Sequence, residues 1–197
     1  MGQFDIVAIG SSAGGIKALE VILSELTADF PLPILIVQHL DPRHRSLMAE
    51  IMQRHSKLRV IEAVDGETMK PAFVYIAPPN KHLLVNDGKI LLTYTAFVHF
   101  CRPSIDLLFE SVAATYGDRS IGIILSGTGT DGAMGIKAIK EKGGTTIAQD
   151  EATSEHWGMP QAAIATGMVD FVLPIRDIAP AIIALIKDTQ EEKLNVG

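Results

Sequence analysis

Short apolar runs rich in β-branched residues alternate along the chain with longer segments whose apolar positions recur every three or four residues. The short runs predict strands at 4–10, 33–38, 58–63, 72–78, 120–125, 145–149 and 169–173. The longer segments predict helices at 15–26, 45–55, 104–117, 132–143, 159–167 and 175–188, with the last one interrupted near Pro180. Ser104 stands where the N-cap of its helix is expected.

The strands are apolar from end to end, which is typical of strands buried on both faces. Strands of this kind separated by helices predict an α/β fold: a doubly wound, mostly parallel sheet with helices on both faces. The run 82–93 differs, because Asn86-Asp87-Gly88 between two apolar stretches predicts a hairpin. We expect this hairpin to be antiparallel and to lie at an edge of the sheet. Residues 1–187 are predicted to form a single domain, followed by a polar tail at 188–197.

Composition narrows the classes of function. Hydrophobic residues make up 47% of the 197 residues and charged residues 20%, so a large buried core is expected. The net charge of −6 argues against nucleic acid as the main partner. No apolar run approaches the roughly 20 residues of a membrane span, and no signal peptide is recognisable, so we expect a cytoplasmic protein without membrane insertion. The single cysteine, Cys101, is interpreted as a small buried hydrophobe.

The first strand runs into a glycine loop that contains two adjacent serines. Gly10-Ser11-Ser12-Ala13-Gly14 fits G-x-S-x-G, the sharp turn that exposes a nucleophilic serine at the end of a strand. The same loop also suits a phosphate at a helix N-terminus. That second interpretation has less support, since no Walker lysine follows and the loop does not fit G-x-G-x-x-G.

Three polar residues follow three different strands of the predicted sheet. Ser12 follows the first strand, His39 the second, and Asp131 the strand at 120–125. In a doubly wound sheet the active site lies beyond the carboxyl ends of the strands, so these groups are expected at one end of the sheet. They match the nucleophile, general base and orienting carboxylate of acyl transfer. Asp131 could equally cap the helix that follows it.

Several motifs together resemble one enzyme family. They are IGSSAGG, VQHLDP, EAVDGE, PAFVYIAPPNKHL, RPSIDLLFESVA, IGIILSGTGTDGAMG, TIAQDEAT and GMPQAAIATG, in order between residues 4 and 185. The chain is similar here to the catalytic domain of the chemotaxis protein-glutamate methylesterases, the CheB-like family. The resemblance implies a serine hydrolase, without cofactor, that demethylates glutamate γ-methyl esters on the cytoplasmic helices of chemoreceptors. It also implies deamidation of some receptor glutamines.

Carried over by motif, the resemblance assigns the nucleophile to Ser12, the catalytic histidine to His39 and the aspartate to Asp131. Ser11 is then a spacer. The chain departs from the well-known members at two positions near the expected carbonyl: Ala13 replaces a threonine and Thr128 replaces a methionine. The backbone N–H of Ala13 is still expected to donate to an oxyanion, because it is predicted to open a helix.

Other polar residues are candidates for binding roles, each with an alternative. Arg102 is a candidate for lining the site, with a surface role as the alternative, and Arg43, His44 and Arg45 could bind an acidic receptor helix or form a solvated helix start. The histidines show no H-x-H or H-x-x-x-H spacing, so no metal site is predicted. Trp157 and Met159 are expected to pack in the interior. A non-catalytic binding module that uses the Ser/Gly loop is the alternative function.

The sequence also leads to an expectation about how the activity is regulated. Known chemotaxis methylesterases commonly carry an N-terminal phosphoacceptor domain that covers the active site. Here the first strand begins at about Phe4, so we expect an uncovered site that is active without phosphorylation. The expected partners are the chemoreceptor cytoplasmic domain and a separate regulatory or methyltransferase protein.

Overall fold

The computed structural model describes residues 4–39, 46–96 and 101–194, with side chains as far as Lys187. The strands are β1 (Ile6–Ser11), β2 (Ile34–Gln38), β3 (Arg59–Glu62), β4 (Phe73–Ile76), β5 (His82–Asn86), β6 (Lys89–Thr93), β7 (Ser120–Ile124), β8 (Thr145–Gln149) and β9 (Phe171–Leu173). The helices are α1 (Gly15–Glu25), α2 (Met48–Gln53), α3 (Ile105–Tyr116), α4 (Ala133–Glu141), α5 (Gly158–Ala165) and α6 (Ile175–Leu194).

Seven strands form the main sheet in the order β3-β4-β2-β1-β7-β8-β9, and every pairing in it is parallel. β1 lies near the middle, with Gly10 opposite Val37 of β2 and Ile124 of β7. The chain winds outward from β1 through β2 and then returns to β7 on the other side. The carboxyl ends of β1 and β7 therefore form a topological switch point, the usual place for a site in an open α/β sheet.

Two hydrophobic layers cover the sheet, one on each face. The first contains buried residues of α1, α2 and α6, among them Leu19, Met52 and Ile182. The second contains buried residues of α3, α4 and α5, among them Phe109 and Ile136. Because both faces are covered, β1, β2 and β7 are buried along their whole length. The predicted doubly wound α/β class is confirmed.

The hairpin at 82–93 is antiparallel, as predicted, but it lies elsewhere than expected. β5 and β6 form a separate two-stranded sheet rather than an edge of the main one. Asp87 and Gly88 both have positive φ, 48° and 74°, which is the geometry of a tight two-residue turn. The hairpin packs on α3, where the Ser111 hydroxyl accepts from the Val85 N–H and the Thr115 hydroxyl donates to the Val85 carbonyl.

The last helix differs from its prediction at Pro180. α6 runs without a break from Ile175 to Leu194, although Pro180 lies inside it. Proline removes one backbone donor, while the buried Ile178 and Ile182 hold the helix against the sheet on either side of that position. Within the described part of the chain, no helix has the length and apolar character needed to cross a membrane.

Candidate active site at the carboxyl ends of the strands

The loop after β1 is a sharp strand-to-helix turn. β1 ends at Ser11, and α1 begins at Gly15 after Gly14, whose φ of 76° places it in the left-handed region. The Ser12 N–H donates to the Ser126 carbonyl at 3.0 Å, and the Ser12 carbonyl accepts from the Gly15 N–H at 2.9 Å. Ser12 is thus held by its backbone between α1 and the loop after β7, as the G-x-S-x-G pattern predicts.

Ser11 is more than a spacer. It is fully buried, and its hydroxyl donates to Oε1 of Gln38 at 2.7 Å. The Gln38 amide in turn donates to the carbonyls of Ser12 and His39, at 2.8 and 2.9 Å. One buried side chain therefore joins the ends of β1 and β2 and fixes the backbone on which Ser12 and His39 stand.

The structure brings His39 and Asp131 together from two strands. The His39 N–H donates to the Ser11 carbonyl at 3.0 Å, and its ring Nε2 lies 2.8 Å from Oδ2 of Asp131. Nδ1 is then the ring nitrogen left to exchange a proton with a nucleophile. Among the described residues, the Ser12 hydroxyl forms no hydrogen bond with this ring. Such contacts are often long in an empty site and shorten when substrate binds.

The Asp131 carboxylate lies at the N-terminus of α3. Oδ2 accepts from the Ile105 N–H at 2.8 Å, while Oδ1 accepts from the Asp106 N–H and the Ser104 hydroxyl, both at 3.0 Å. The interpretation of Asp131 as a cap of the following helix is wrong, because Gly132 occupies the N-cap of α4 without a side-chain bond. The partly positive end of α3 instead stabilises this carboxylate.

A second carboxylate makes the reciprocal contact. Oδ1 of Asp106, in the first turn of α3, accepts from the N–H groups of Gly132 and Gly135 at 2.9 and 2.7 Å. The two helices can exchange carboxylates because they lie very close together: a Cβ added at Gly135 would come within 2.5 Å of the Phe109 Cβ. Asp106 and Gly135 thus fix the position of α3, and with it the donors to Asp131.

Burial and hydrogen bonding move the pKa values of these groups in different directions. Burial acts to raise the pKa of Asp131, but the hydrogen bonds from His39, Ile105 and Asp106 outweigh it and lower the pKa below the ordinary value. Burial raises the pKa of Asp106, and the neighbouring Asp131 charge adds to the effect. Burial acts to lower the pKa of His39, but Asp131 and Cys101 outweigh it and raise the pKa to about 9. The pair is therefore ionised, His39 positive and Asp131 negative, at neutral pH.

Cys101 is the residue that sequence reasoning placed wrongly. It is partly exposed rather than fully buried, and its Sγ lies within 4.8 Å of ligand atoms of both His39 and Asp131. No local pattern could have shown this contact, because His39 and Cys101 lie 62 positions apart in the chain.

Ala13 directly follows Ser12 in the chain, and Thr128 lies on the loop after β7. Ala13 lies in the turn before α1, so the expectation that it opens the helix is wrong. Its N–H has no acceptor among the described residues, and its carbonyl accepts from the Ser126 hydroxyl at 2.8 Å. Thr128 is exposed, on the loop where a Cβ at Gly127 would come within 2.9 Å of the Ser12 Cβ. This loop thus passes directly beside the serine.

Of the positively charged candidates, only Arg102 lies among the described residues. The Arg102 guanidinium donates to Oδ1 of Asn80 at 2.9 and 2.6 Å, and to the carbonyls of Tyr94 and Thr95 at 3.4 and 3.1 Å. It thereby ties the loop before α3 to the hairpin. Arg43, His44 and Arg45 lie outside the described residues. Met159 is buried as predicted, whereas Trp157 is partly exposed.

Sequence reasoning missed the residues that support Asp131. Ser104 was recognised as the N-cap of α3, and its hydroxyl does accept from the Leu107 N–H at 3.4 Å, but its bond to Asp131 was not foreseen. The fully buried His82 accepts the Ser104 N–H on Nδ1 at 3.1 Å and donates from Nε2 to the Ala96 carbonyl at 3.1 Å. A buried histidine in a hairpin carries no sequence signal for this role.

Comparison with known proteins points to one family. The sequence model of the CheB methylesterase family matches residues 7–182. The protein-glutamate methylesterase/protein-glutamine glutaminase of Moorella thermoacetica is 43% identical over 187 residues, which cover 92% of this chain and 44% of that protein. A relative from Leptospira interrogans is 41% identical over 97% of this chain and all of its own length.

A solved structure shows the same fold. The crystal structure of the Thermotoga maritima CheB methylesterase catalytic domain superposes with a TM-score of 0.89 at 39% sequence identity, over 93% of this chain and the whole of that one. The chain belongs to the CheB methylesterase family.

Proposed function

We propose that the chain is a protein-glutamate methylesterase that hydrolyses γ-methyl esters of glutamate on the cytoplasmic helices of chemoreceptors. The observation that carries the proposal is the His39–Asp131 hydrogen bond, which lies at the same end of the sheet as the Ser12 turn. The names of the relatives support the same activity. The alternative of a non-catalytic binding module is not favoured by them.

The proposed mechanism assigns one role to each group. The Ser12 hydroxyl attacks the ester carbonyl, and its proton passes to Nδ1 of His39. Asp131 holds the ring through Nε2 and stabilises the imidazolium that forms. The imidazolium then gives the proton to the departing methoxide, and methanol leaves the acyl-enzyme. Water, deprotonated by His39, frees the glutamate carboxylate and Ser12.

The N–H of Ala13, which has no acceptor in the described part of the chain, supports a role as oxyanion donor. It needs no side chain for this, so the replacement of threonine by alanine removes no backbone donor. Thr128, on the loop beside Ser12, is proposed to contact the substrate backbone or the ester group. Arg102 is proposed to act indirectly, because its hydrogen bonds to Asn80 hold the loop that carries Cys101 and Ser104 in position.

Deamidation is proposed as a second activity of the same site. The Moorella thermoacetica relative carries glutaminase in its name. A glutamine side chain would form the same acyl-enzyme and release ammonia instead of methanol. We also propose a cytoplasmic location, since the receptor helices that carry the substrate lie there, and a regulatory or methyltransferase protein as a further partner.

Methanol release from membranes that carry methylated chemoreceptors tests the proposal. The parent chain is expected to release methanol, and Ser12→Ala to release none above background. Ser11→Ala removes the neighbouring hydroxyl and its bond to Gln38, so methanol release should fall but stay above that of Ser12→Ala. Ser24→Ala is the matched control, because Ser24 is an exposed serine near the far end of α1, and it is expected to keep full activity. Ammonia release from receptors with unmodified glutamines measures the deamidase activity in parallel. Absence of methanol release from the folded parent chain would refute the proposed function.

A further inference from the structure

Three side chains at the site lie close together, and the proposed hydrolysis uses only two of them. The His39 ring, the Cys101 thiol and the Asp131 carboxylate each offer one ligand atom, and these atoms lie within 4.8 Å of one another. They supply one nitrogen, one sulfur and one oxygen. Hydrolysis needs His39 and Asp131 but gives no role to the sulfur.

This combination of atoms is a common one for zinc. Zn²⁺ in proteins is bound by cysteine sulfur, histidine nitrogen and carboxylate oxygen in tetrahedral geometry, with three protein ligands where one position stays open to water. Bond lengths of about 2.0–2.3 Å place neighbouring ligand atoms about 3.3–3.8 Å apart. The most distant pair of ligand atoms must therefore approach by no more than about 1 Å, whereas His39 Nε2 and Asp131 Oδ2, which lie 2.8 Å apart, must separate by about 0.5 Å. The side chains of His39 and Cys101 are partly exposed, and that of Asp131 is buried.

We propose that His39, Cys101 and Asp131 form a binding site for a thiophilic divalent cation, Zn²⁺ above all, and that the bound ion inhibits the enzyme. The inhibition rests on the proposed function, whereas the binding does not. The Cys101 thiol and the His39 imidazolium each lose a proton to solvent as the Zn–S and Zn–N bonds form, and water fills the fourth position.

The fixed member of the cluster is Asp131. Its carboxylate is held by the N–H groups of Ile105 and Asp106 and by the Ser104 hydroxyl. Hydrogen bonds of this kind orient a ligating carboxylate and support metal affinity. The sulfur sets the selectivity, because thiolate with imidazole favours Zn²⁺ over Mg²⁺ or Ca²⁺.

Inhibition follows from the atoms that the ion would occupy. A ring nitrogen of His39 that is bound to zinc has no lone pair for the Ser12 proton. Asp131 bound to the same ion no longer orients a free imidazole. The ion would thus block the base and its partner together, and removal of the ion by a chelator would restore both.

Binding is measured on the full chain, freed of metal, by competition for Zn²⁺ with a chromophoric chelator. We expect one equivalent to bind, and Cys101→Ala to weaken the affinity at least about tenfold, the least that loss of even an outer-shell partner usually costs. Co²⁺ gives a second readout. Its complex with the parent chain should show a thiolate-to-cobalt charge-transfer band in the near ultraviolet, and Cys101→Ser should lack it.

His55→Ala is the matched control. His55 lies 3.6 Å from Glu20 on the surface and so offers a nitrogen and an oxygen without a sulfur. This variant is expected to bind Zn²⁺ and Co²⁺ as the parent does. Unchanged zinc affinity in Cys101→Ala, or a parent complex without the cobalt band, would overturn the proposed metal site.

Activity is measured separately on the same samples. One equivalent of Zn²⁺ should stop methanol release by the parent chain, a chelator should restore it, and Cys101→Ala should be at least about tenfold less sensitive. A parent chain that binds zinc through Cys101 and stays active would overturn the inhibitory role. A metal-free parent that binds zinc but never releases methanol would refute the proposed function and leave the metal site supported.

Discussion

Each end of the main sheet carries ion pairs that contain an aspartate, but in different surroundings. At the carboxyl ends, His39 and Asp131 have side chains that are only 18% and 3% exposed. At the amino ends, Arg119 pairs with Asp5, and their side chains are 44% and 36% exposed. Lys140 and Asp170 form a similar pair before β9, so the pairs at the two ends differ in burial and in the cation, which is histidine at the carboxyl ends and arginine or lysine at the amino ends.

Burial and the choice of cation together decide what each pair can do. Water screens the pairs at the amino ends, and exposed pairs of this kind contribute at most about 1 kcal/mol to stability. Asp131 is removed from water, and backbone donors of α3 fix its charge. Its hydrogen bond and charge, together with Cys101, outweigh burial and raise the pKa of His39 to about 9. A pair at the carboxyl end therefore controls a proton, while a pair at the amino end holds neighbouring elements together.

Asp131→Asn should have the largest effect. The amide cannot stabilise the imidazolium, and it favours the wrong ring tautomer, so kcat for methyl ester hydrolysis should fall about 10⁴-fold, as for other Ser-His-Asp triads. Asp170→Asn is the matched control at the other end of the sheet, and its kcat should stay close to that of the parent. Similar losses in the two variants, both shown by circular dichroism to be folded, would contradict the contrast.

The pH profile should be the next largest effect. His39 must be neutral to accept the Ser12 proton, so kcat/KM should fall about tenfold for each unit of pH below about 9. The ordinary pKa of imidazole predicts instead a rise that ends near neutrality. Cys101 also raises the pKa of His39, so Cys101→Ala should move the midpoint to lower pH. A plateau that begins below pH 7 in the parent chain would show that His39 is not the base, or that its charge is not held in this way.

Asp106→Asn should have a moderate effect on kcat. It allows the two carboxylates of the site, Asp106 and Asp131, to be compared. Burial and the Asp131 charge raise the pKa of Asp106, and an asparagine oxygen can still accept from Gly132 and Gly135. We expect kcat to fall by less than tenfold, which corresponds to less than about 1.4 kcal/mol of barrier. A loss as large as that of Asp131→Asn would mean that the Asp106 charge, and not only its hydrogen bonds, is needed.

Arg119→Gln should have the smallest effect. It removes the exposed pair with Asp5, so the free energy of unfolding in urea should change by less than about 1 kcal/mol. The kcat should be unchanged, because Arg119 lies at the opposite end of β7 from the site. A clear loss of kcat would mean that the two ends of the sheet are coupled.

Much of this arrangement could be predicted from sequence. The apolar runs gave the parallel sheet, and the rule that sites lie beyond the carboxyl ends gave Ser12, His39 and Asp131 a common location. The supporting contacts could not be predicted in the same way. Asp106 reaches Gly132 and Gly135 only because α3 and α4 pack closely, and Cys101 reaches His39 only through the loop before α3. Such contacts depend on tertiary packing and leave no local pattern.

The central claim is that Ser12 is the nucleophile, activated at the carboxyl end of the sheet. A fluorophosphonate probe tests it most directly, with the labelled residue located by peptide mass spectrometry. We predict a label on Ser12 in the parent chain and in Ser11→Ala, and much slower labelling in Asp131→Asn. Label on another residue, or equal labelling of Ser12→Ala and the parent chain, would contradict the account.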